Sequence, residues 1–289
     1  MLTNLRTLDG MAPQRAFSRF IPTSLAPPAP VRNFYTFGFC LLALLGATSR
    51  VQAQSSDEPS YQKEFTYGIN FNTRGGLIGG VAVRSTRVLD EKWSRFWGVE
   101  GVEVKHPKEQ RALNGNTGGS FVYGKSNYLF VIRPSYGMQR VVFRKAPESG
   151  VQVNALLGAG PSIGLLMPYY IYYDYTVREN RPGAPVQEDI RSEQYDPEVN
   201  SIRDRILDRA PLFSGASDTK VKFGAHIRGA LSFEYGRYRD AVAGIETGFL
   251  FELYPKELTI LRAQNINDGT LNTNFYPSVY LTLYIGHRS

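Results

Sequence analysis

The feature that most constrains the fold is strand-type alternation held in phase for longer than soluble sheets need. In 150–168, Val151, Val153, Ala155, Leu157, Ala159, Ile163, Leu165 and Met167 fall on one parity. Gln152, Asn154, Gly158, Gly160, Ser162 and Gly164 fall on the other. The stretch 220–238 repeats this, with Val221, Phe223, Ile227, Leu231 and Phe233 opposing Lys222, His226, Arg228, Ser232 and Glu234. Strands of globular proteins average about 5–6 residues, whereas a strand that crosses a bilayer needs roughly 9–11 for the hydrocarbon alone. Period two makes these segments strands, and their length points to a membrane.

Eight segments carry the pattern: 65–72, 76–87, 94–105, 127–144, 150–168, 220–238, 244–253 and 275–286. Glu100 and Glu103 have opposite parity, which predicts a bulge near Gly101. Pro134 and Pro161 each remove a ladder donor, so local bulges are expected there too. After a short first connection at Arg74-Gly75, short turns around Leu89-Asp90-Glu91, Ala146-Pro147-Glu148 and Arg239-Asp240 alternate with long connections at 106–125, about 170–219 and 255–273. An outer-membrane barrel has short periplasmic turns, longer external loops and no unpaired sheet edge. The expected fold is therefore all-β, an eight-stranded antiparallel up-and-down transmembrane β-barrel.

Alternation does not say which face points inward; composition does. The polar parity carries glycines suited to a crowded interior and complementary charges: Arg133, Lys222, Arg228, Glu234, Glu246 and Glu252. The other parity carries large apolar groups and almost no charge. Buried charges must be paired, so these six are the expected lumen network. An eight-stranded barrel is just wide enough for side chains to fill, and no open diffusion pore is expected. A soluble barrel or sandwich is the competing architecture. Tyr169, Tyr170, Tyr172, Tyr173 and Tyr175 cluster where a strand meets a loop, the position of an interface belt.

The chain begins with a different kind of segment. Phe34 to Ala47 form an uncharged, mostly apolar run of 14 residues after Arg32. At 1.5 Å per residue this is roughly 21 Å of helix, too short to span a bilayer. Val51-Gln52-Ala53 supplies a small-x-small cleavage site. Residues 1–53 are thus expected to be a signal-peptide region, cut between Ala53 and Gln54. Residues 1–30 include a Pro-rich stretch, and a signal of ordinary length begins at Val31, so a mis-annotated start is expected. The mature region is then 54–289.

Charge and thiol content follow from that division. The whole chain has 33 Lys+Arg against 26 Asp+Glu, a net charge of +7, and a pI near 9.4. Residues 54–289 keep 28 bases and 25 acids, a net of +3, and lose Cys40, the only cysteine. Mean hydropathy of −0.27 excludes a polytopic helical membrane protein. A single thiol excludes disulfide frameworks and zinc-thiolate clusters. Scattered basic residues argue against a nucleic-acid partner.

Three further runs carry a family likeness: VKHPKEQR, FVIRPSYGMQRVVFRK and GPSIGLLMPYYIYYDY. With the signal segment, the eight strands and the ending SVYLTLYIGHRS, roughly residues 60–289 resemble small outer-membrane β-barrel proteins of Gram-negative envelopes. More narrowly, they resemble an uncharacterised porin-like family. The resemblance implies barrel architecture and brings no catalytic residues. The chain departs from many such barrels by ending in Gly286-His287-Arg288-Ser289 instead of an aromatic residue.

The functional expectation is a non-enzymatic, monomeric barrel in the cell outer membrane with a structural or surface-interaction role. Its expected partners are outer-membrane lipid and lipopolysaccharide, the barrel-insertion machinery, and an extracellular partner reached through the loop at 170–219. Residues 176–219 carry six Arg and nine acids. Asp196-Pro197 is expected to start a helix with Val199, Ile202 and Ile206 on one face. No cofactor or metal is expected, since no calcium-loop spacing is present. The alternatives are a barrel enzyme modifying lipid A or phospholipid, with His106 or His226 as base, and a narrow porin-like channel.

Overall fold

The computed structural model describes residues 61–75, 79–144, 150–177, 187–235 and 241–289. All lie within one compact unit, Asp57–Ser289. The expected signal segment 1–53, with its cut between Ala53 and Gln54, falls outside the described residues. So do the turns around Pro147 and at Arg239-Asp240.

In chain order the strands are β1 (Lys63–Asn72), β2 (Gly80–Val88), β3 (Trp93–Val104), β4 (Arg111–Leu113), β5 (Ser120–Val122), β6 (Asn127–Phe143) and β7 (Val151–Pro168). Then come β8 (Tyr170–Asp174), β9 (Ile190–Gln194), β10 (Ile206–Arg209), β11 (Lys220–Tyr235), β12 (Ala241–Leu253) and β13 (Phe275–Arg288). Eight of them close a barrel in the order β1-β13-β12-β11-β7-β6-β3-β2, antiparallel throughout. Each expected segment is one barrel strand, and β1 pairs with β13, so no barrel edge is free. Among the described residues no helix is long and apolar enough to cross a membrane; the strands do this.

The polarity of the barrel is inverted relative to a soluble protein. Phe65, Tyr67 and Ile69 on β1, Phe249 and Phe251 on β12, and Leu281, Leu283 and Ile285 on β13 are exposed. Glu252 and Ser162 are 0% exposed and Arg133 is 4%. A contiguous apolar belt of this kind is stable only against hydrocarbon. Inside, the ring of Phe96 covers the facing pair Gly137 and Gly158, where an added Cβ would come within 2.5 and 2.9 Å of its Cζ. The ring fits because those two positions have no side chain.

The expected bulges are not where the strands are irregular. β3 keeps one register with both β2 and β6 through Gly101. Glu100 faces inward, and Glu103 faces outward near the long-loop rim, 3.7 Å from Lys105. Opposite parity therefore reflects a strand that leaves the membrane, not a bulge. Pro134 and Pro161 lie opposite one another, and the β6–β7 ladder is in the same register on either side of them. Because both prolines sit at the same level, the missing donors coincide and no residue is left over. The register shifts instead between Val141 and Phe143.

Candidate functional site: the filled lumen and the loop crown

The polar parity brings charges from five strands together inside the barrel. Arg133 on β6 donates from Nη1 to Glu100 Oε1 at 3.0 Å and from Nη2 to Glu252 Oε2 at 2.7 Å. Arg228 on β11 pairs with the other Glu100 oxygen. Arg84 on β2 pairs with Glu246 on β12, whose second oxygen accepts from the Tyr280 hydroxyl at 2.7 Å. Three guanidinium groups thus meet three carboxylates in the middle of the lumen. The Arg228 guanidinium also lies 4.8 Å from the Tyr280 ring. His226 bridges two hydroxyls, with Ser135 Oγ 2.9 Å from Nε2 and Ser162 Oγ 3.2 Å from Nδ1.

A second cluster closes the short-turn end. Arg288 donates from Nε to Glu64 at 2.8 Å, pairs with Glu234, and lies 4.1 Å from the Tyr61 ring.

The six residues expected in one network therefore divide. Arg133, Arg228 and Glu252 meet through Glu100. Glu246 binds Arg84, and Glu234 binds Arg288. Lys222 is exposed, at the long-loop end of β11 beyond the filled lumen. Glu100, Arg84, Glu64 and Arg288 were missed. Glu100 shares the even parity of Ser94 and Phe96, a signal the supposed bulge concealed. Arg288 is the last residue of the last strand, where too few positions follow for the alternation to assign it a face.

At the long-loop end the mouth is stoppered. The β12–β13 connection contributes Leu258, Ile260 and Leu261, which pack on the inward residues Val102, Val104, Leu129, Val131 and Leu166 and on Tyr254 and Tyr276. The Ile260 carbonyl accepts from Ser126 and Asn127 N–H at 2.9 and 3.2 Å. Asn272 accepts from the N–H groups of Ile260 and Leu261, each at 2.9 Å. The short helix α1 (Asp268–Leu271) precedes it.

The other two long loops build a crown with its own core. β10, β8 and β9 form a sheet, and β4 pairs with β5. Ala112, Phe121, Tyr169, Ile171, Tyr173, Tyr195 and Ile206 pack together on Tyr128 and Met167, which face outward from β6 and β7. Tyr169 and Tyr173 are buried here, so they are crown core and not an interface belt; Tyr172 is exposed, and Tyr170 and Tyr175 are half-buried. The Tyr175 hydroxyl donates to Glu193 at 2.5 Å, and that bond to a carboxylate pushes its pKa up to about 12. The expected helix after Asp196 is not formed. Asp196 and Asn200 close a single turn through each other's backbone, with Asn200 N 2.6 Å from the Asp196 carbonyl and Asp196 N 2.9 Å from Asn200 Oδ1. Ile206 then enters β10. Val199 and Ile202 are left exposed.

His106, at the start of the first long connection, is buried. Burial is the main cause lowering its pKa, against the opposing pull of Glu109. Its Nδ1 accepts from the Lys108 N–H at 3.2 Å. His287 faces outward beside Phe65.

The closed strand order and the inverted polarity define an eight-stranded transmembrane β-barrel. No protein-family model and no curated protein matches the chain. Among solved structures it is similar to Ail, the attachment invasion locus protein of Yersinia pestis, at 10% identity and a TM-score of 0.35, over 79% of this chain and 99% of that one. A second Ail structure, in complex with the heparin analogue sucrose octasulfate, gives a TM-score of 0.33 at 10% identity, over the same shares of the two chains. Neisserial surface protein A gives 8% identity and a TM-score of 0.34, over 81% of this chain and 100% of that one. The strand pairing of this chain, and not these likenesses, defines the fold.

Proposed function

We propose that the protein is an outer-membrane barrel closed to diffusion, whose function is to present its long loops to an extracellular partner. The observation that carries this is a contrast between a sealed lumen and an independently folded loop crown above it. The lumen is filled by matched charges and capped by Leu258, Ile260 and Leu261, while the crown is folded on its own core. That crown holds Val199, Ile202 and Phe213 exposed, the last at 71%. Ordered loops carrying exposed apolar side chains suit recognition. The partners this reading entails are membrane lipid on the belt, lipopolysaccharide at the long-loop rim and the insertion machinery during assembly. A monomer is expected, because a closed barrel leaves no strand edge to pair.

Three measurements test it. The mature region has no cysteine, so Phe213→Cys is the sole target for a membrane-impermeant maleimide. Labelling of intact cells is expected; labelling only after lysis reverses the orientation. Planar bilayers holding the purified barrel are expected to stay silent, and reproducible single-channel steps would make it a channel. Adhesion of cells bearing the wild type is expected to exceed that of cells bearing folded Val199→Ser/Phe213→Ser protein. Equal adhesion discards the recognition role.

A further inference from the structure

The outward face of the barrel is not uniformly apolar. Lys63 on β1, Arg87 on β2 and Arg95 on β3 share the parity of Phe65, Val83 and Trp97, so all three point away from the lumen. The register sets them side by side, Lys63 opposite Arg87 and Arg87 opposite Arg95. Lys63 and Arg87 are exposed and Arg95 is half-buried. None of the three pairs with an acid among the described residues.

Neighbouring strands lie about 4.8 Å apart, and like charges directly opposite destabilise a sheet. The same strands pair their cations where they face inward, as Arg84 does with Glu246. The outward row has no carboxylate of its own.

With Ser85, Thr86 and Trp97 these three cations line a hollow of about 220 Å³. Arg140 on β6 extends the basic surface, its guanidinium 5.4 Å from the Trp93 ring. Directly towards the apolar belt come Phe65, Trp97 and Tyr136, with the last two rings 4.9 Å apart. At the same end on β7, β11 and β12, the exposed outward residues among those described are all apolar or aromatic: Val151, Leu231, Phe233, Tyr235, Ala241, Ala243 and Ile245. Among the described residues these cations thus occupy one sector of the circumference, at the border between the apolar belt and the short turns.

We propose that this hollow binds the anionic headgroup of a membrane phospholipid in the leaflet at the short-turn end. The phosphate sits among Lys63, Arg87 and Arg95, which offer charge-assisted donors, and Ser85 offers a hydroxyl. The acyl chains follow Val83 and Val99, with Trp97 at the headgroup level, where an amphipathic ring is at home. A free phosphate would satisfy the cations but would leave the adjoining apolar surface unused, and so a lipid is the occupant. The proposal rests on the outward face being the membrane face.

The test uses the purified, folded barrel in micelles doped with phosphatidylglycerol or with phosphatidylethanolamine of the same acyl chains, and counts retained lipid by native mass spectrometry. Phosphatidylglycerol is expected to be retained preferentially. Its affinity is expected to fall about five-fold for each cation removed in Lys63→Gln, Arg87→Gln and Arg95→Gln. Lys256→Gln, at the other end, should change nothing, and millimolar inorganic phosphate should not displace the lipid. Equal retention of the two lipids overturns the proposal, and so does a preference unchanged in the triple variant. Displacement by inorganic phosphate also overturns it, by making the hollow a soluble-anion site. Heat-modifiable gel mobility and insertion into vesicles are read separately. A barrel that folds and inserts without lipid preference sinks this site alone, whereas one that folds but does not insert sinks the membrane reading.

Discussion

Arg133 and Glu252 reach each other across the lumen, from β6 and β12, with β7 and β11 between them in the wall. Two hydrogen bonds join them, Nη2 to Oε2 at 2.7 Å and Nε to Oε1 at 3.3 Å. Both side chains are buried, Arg133 at 4% and Glu252 at 0% exposure. Removing one member of a buried pair leaves an uncompensated charge, at a cost of about 3–5 kcal/mol. Glu252→Leu is therefore expected to lower stability by that order, and adding Arg133→Met to recover a large part of it. Urea unfolding of the folded barrel in micelles measures both. A double variant no better than the single would mean that the pair is not coupled.

Asn114 ties the β4–β5 hairpin to the β8–β10 sheet. Its Nδ2 donates to the carbonyls of Asp204 and Ile206 at 3.0 and 2.8 Å, and its Oδ1 accepts from the N–H groups of Asn116 and Thr117. The side chain is 4% exposed. Asn114→Ala strands those groups, each lost partner costing about 1–3 kcal/mol. The expected result is faster proteolytic nicking of the crown with unchanged heat-modifiability of the barrel. Loss of both together would show that crown and barrel unfold as one.

How much of this was legible in the sequence differs from element to element. Period two in the polar parity turned Arg133, Arg228, Glu234, Glu246 and Glu252 to the inside, because a strand has only two faces. It did not reveal their partners, since which strands face each other across the lumen depends on closure, not on local pattern. It also failed near the rim. Glu103 lies where the outward face leaves the membrane, so its parity no longer reports the lumen side. Composition places the tyrosine run 169–175 in an interface belt because it does not show the pairing with 190–194 and 206–209. The turn at Asp196 carries the sequence signature of a helix start because an Asx side chain that caps a helix also caps a single turn.

Ile260 is fully buried in the stopper, and its N–H and carbonyl are both bonded. Ile260→Ala keeps the backbone bonds and removes apolar contacts, which costs about 2–5 kcal/mol in a packed core. Conductance is expected to stay silent, because the charge clusters below fill the lumen independently of the stopper. Channel steps appearing in this variant alone would assign the seal to the stopper and not to the ions.

His106 gives the crown an acid sensitivity whose sign is fixed. Its folded pKa lies below the ordinary value of 6.5, so the folded chain favours the neutral ring. A group depressed in this way contributes stability in full above 6.5. That contribution falls as pH drops below 6.5 and levels off under the folded pKa. Protonation also removes the Nδ1 acceptor used by the Lys108 N–H. Hydrogen exchange at 105–110, corrected for intrinsic rates, is expected to accelerate between pH 7.5 and 5.5, and His106→Asn is expected to flatten the response. Equal protection at both pH values would show that this turn holds without the neutral imidazole.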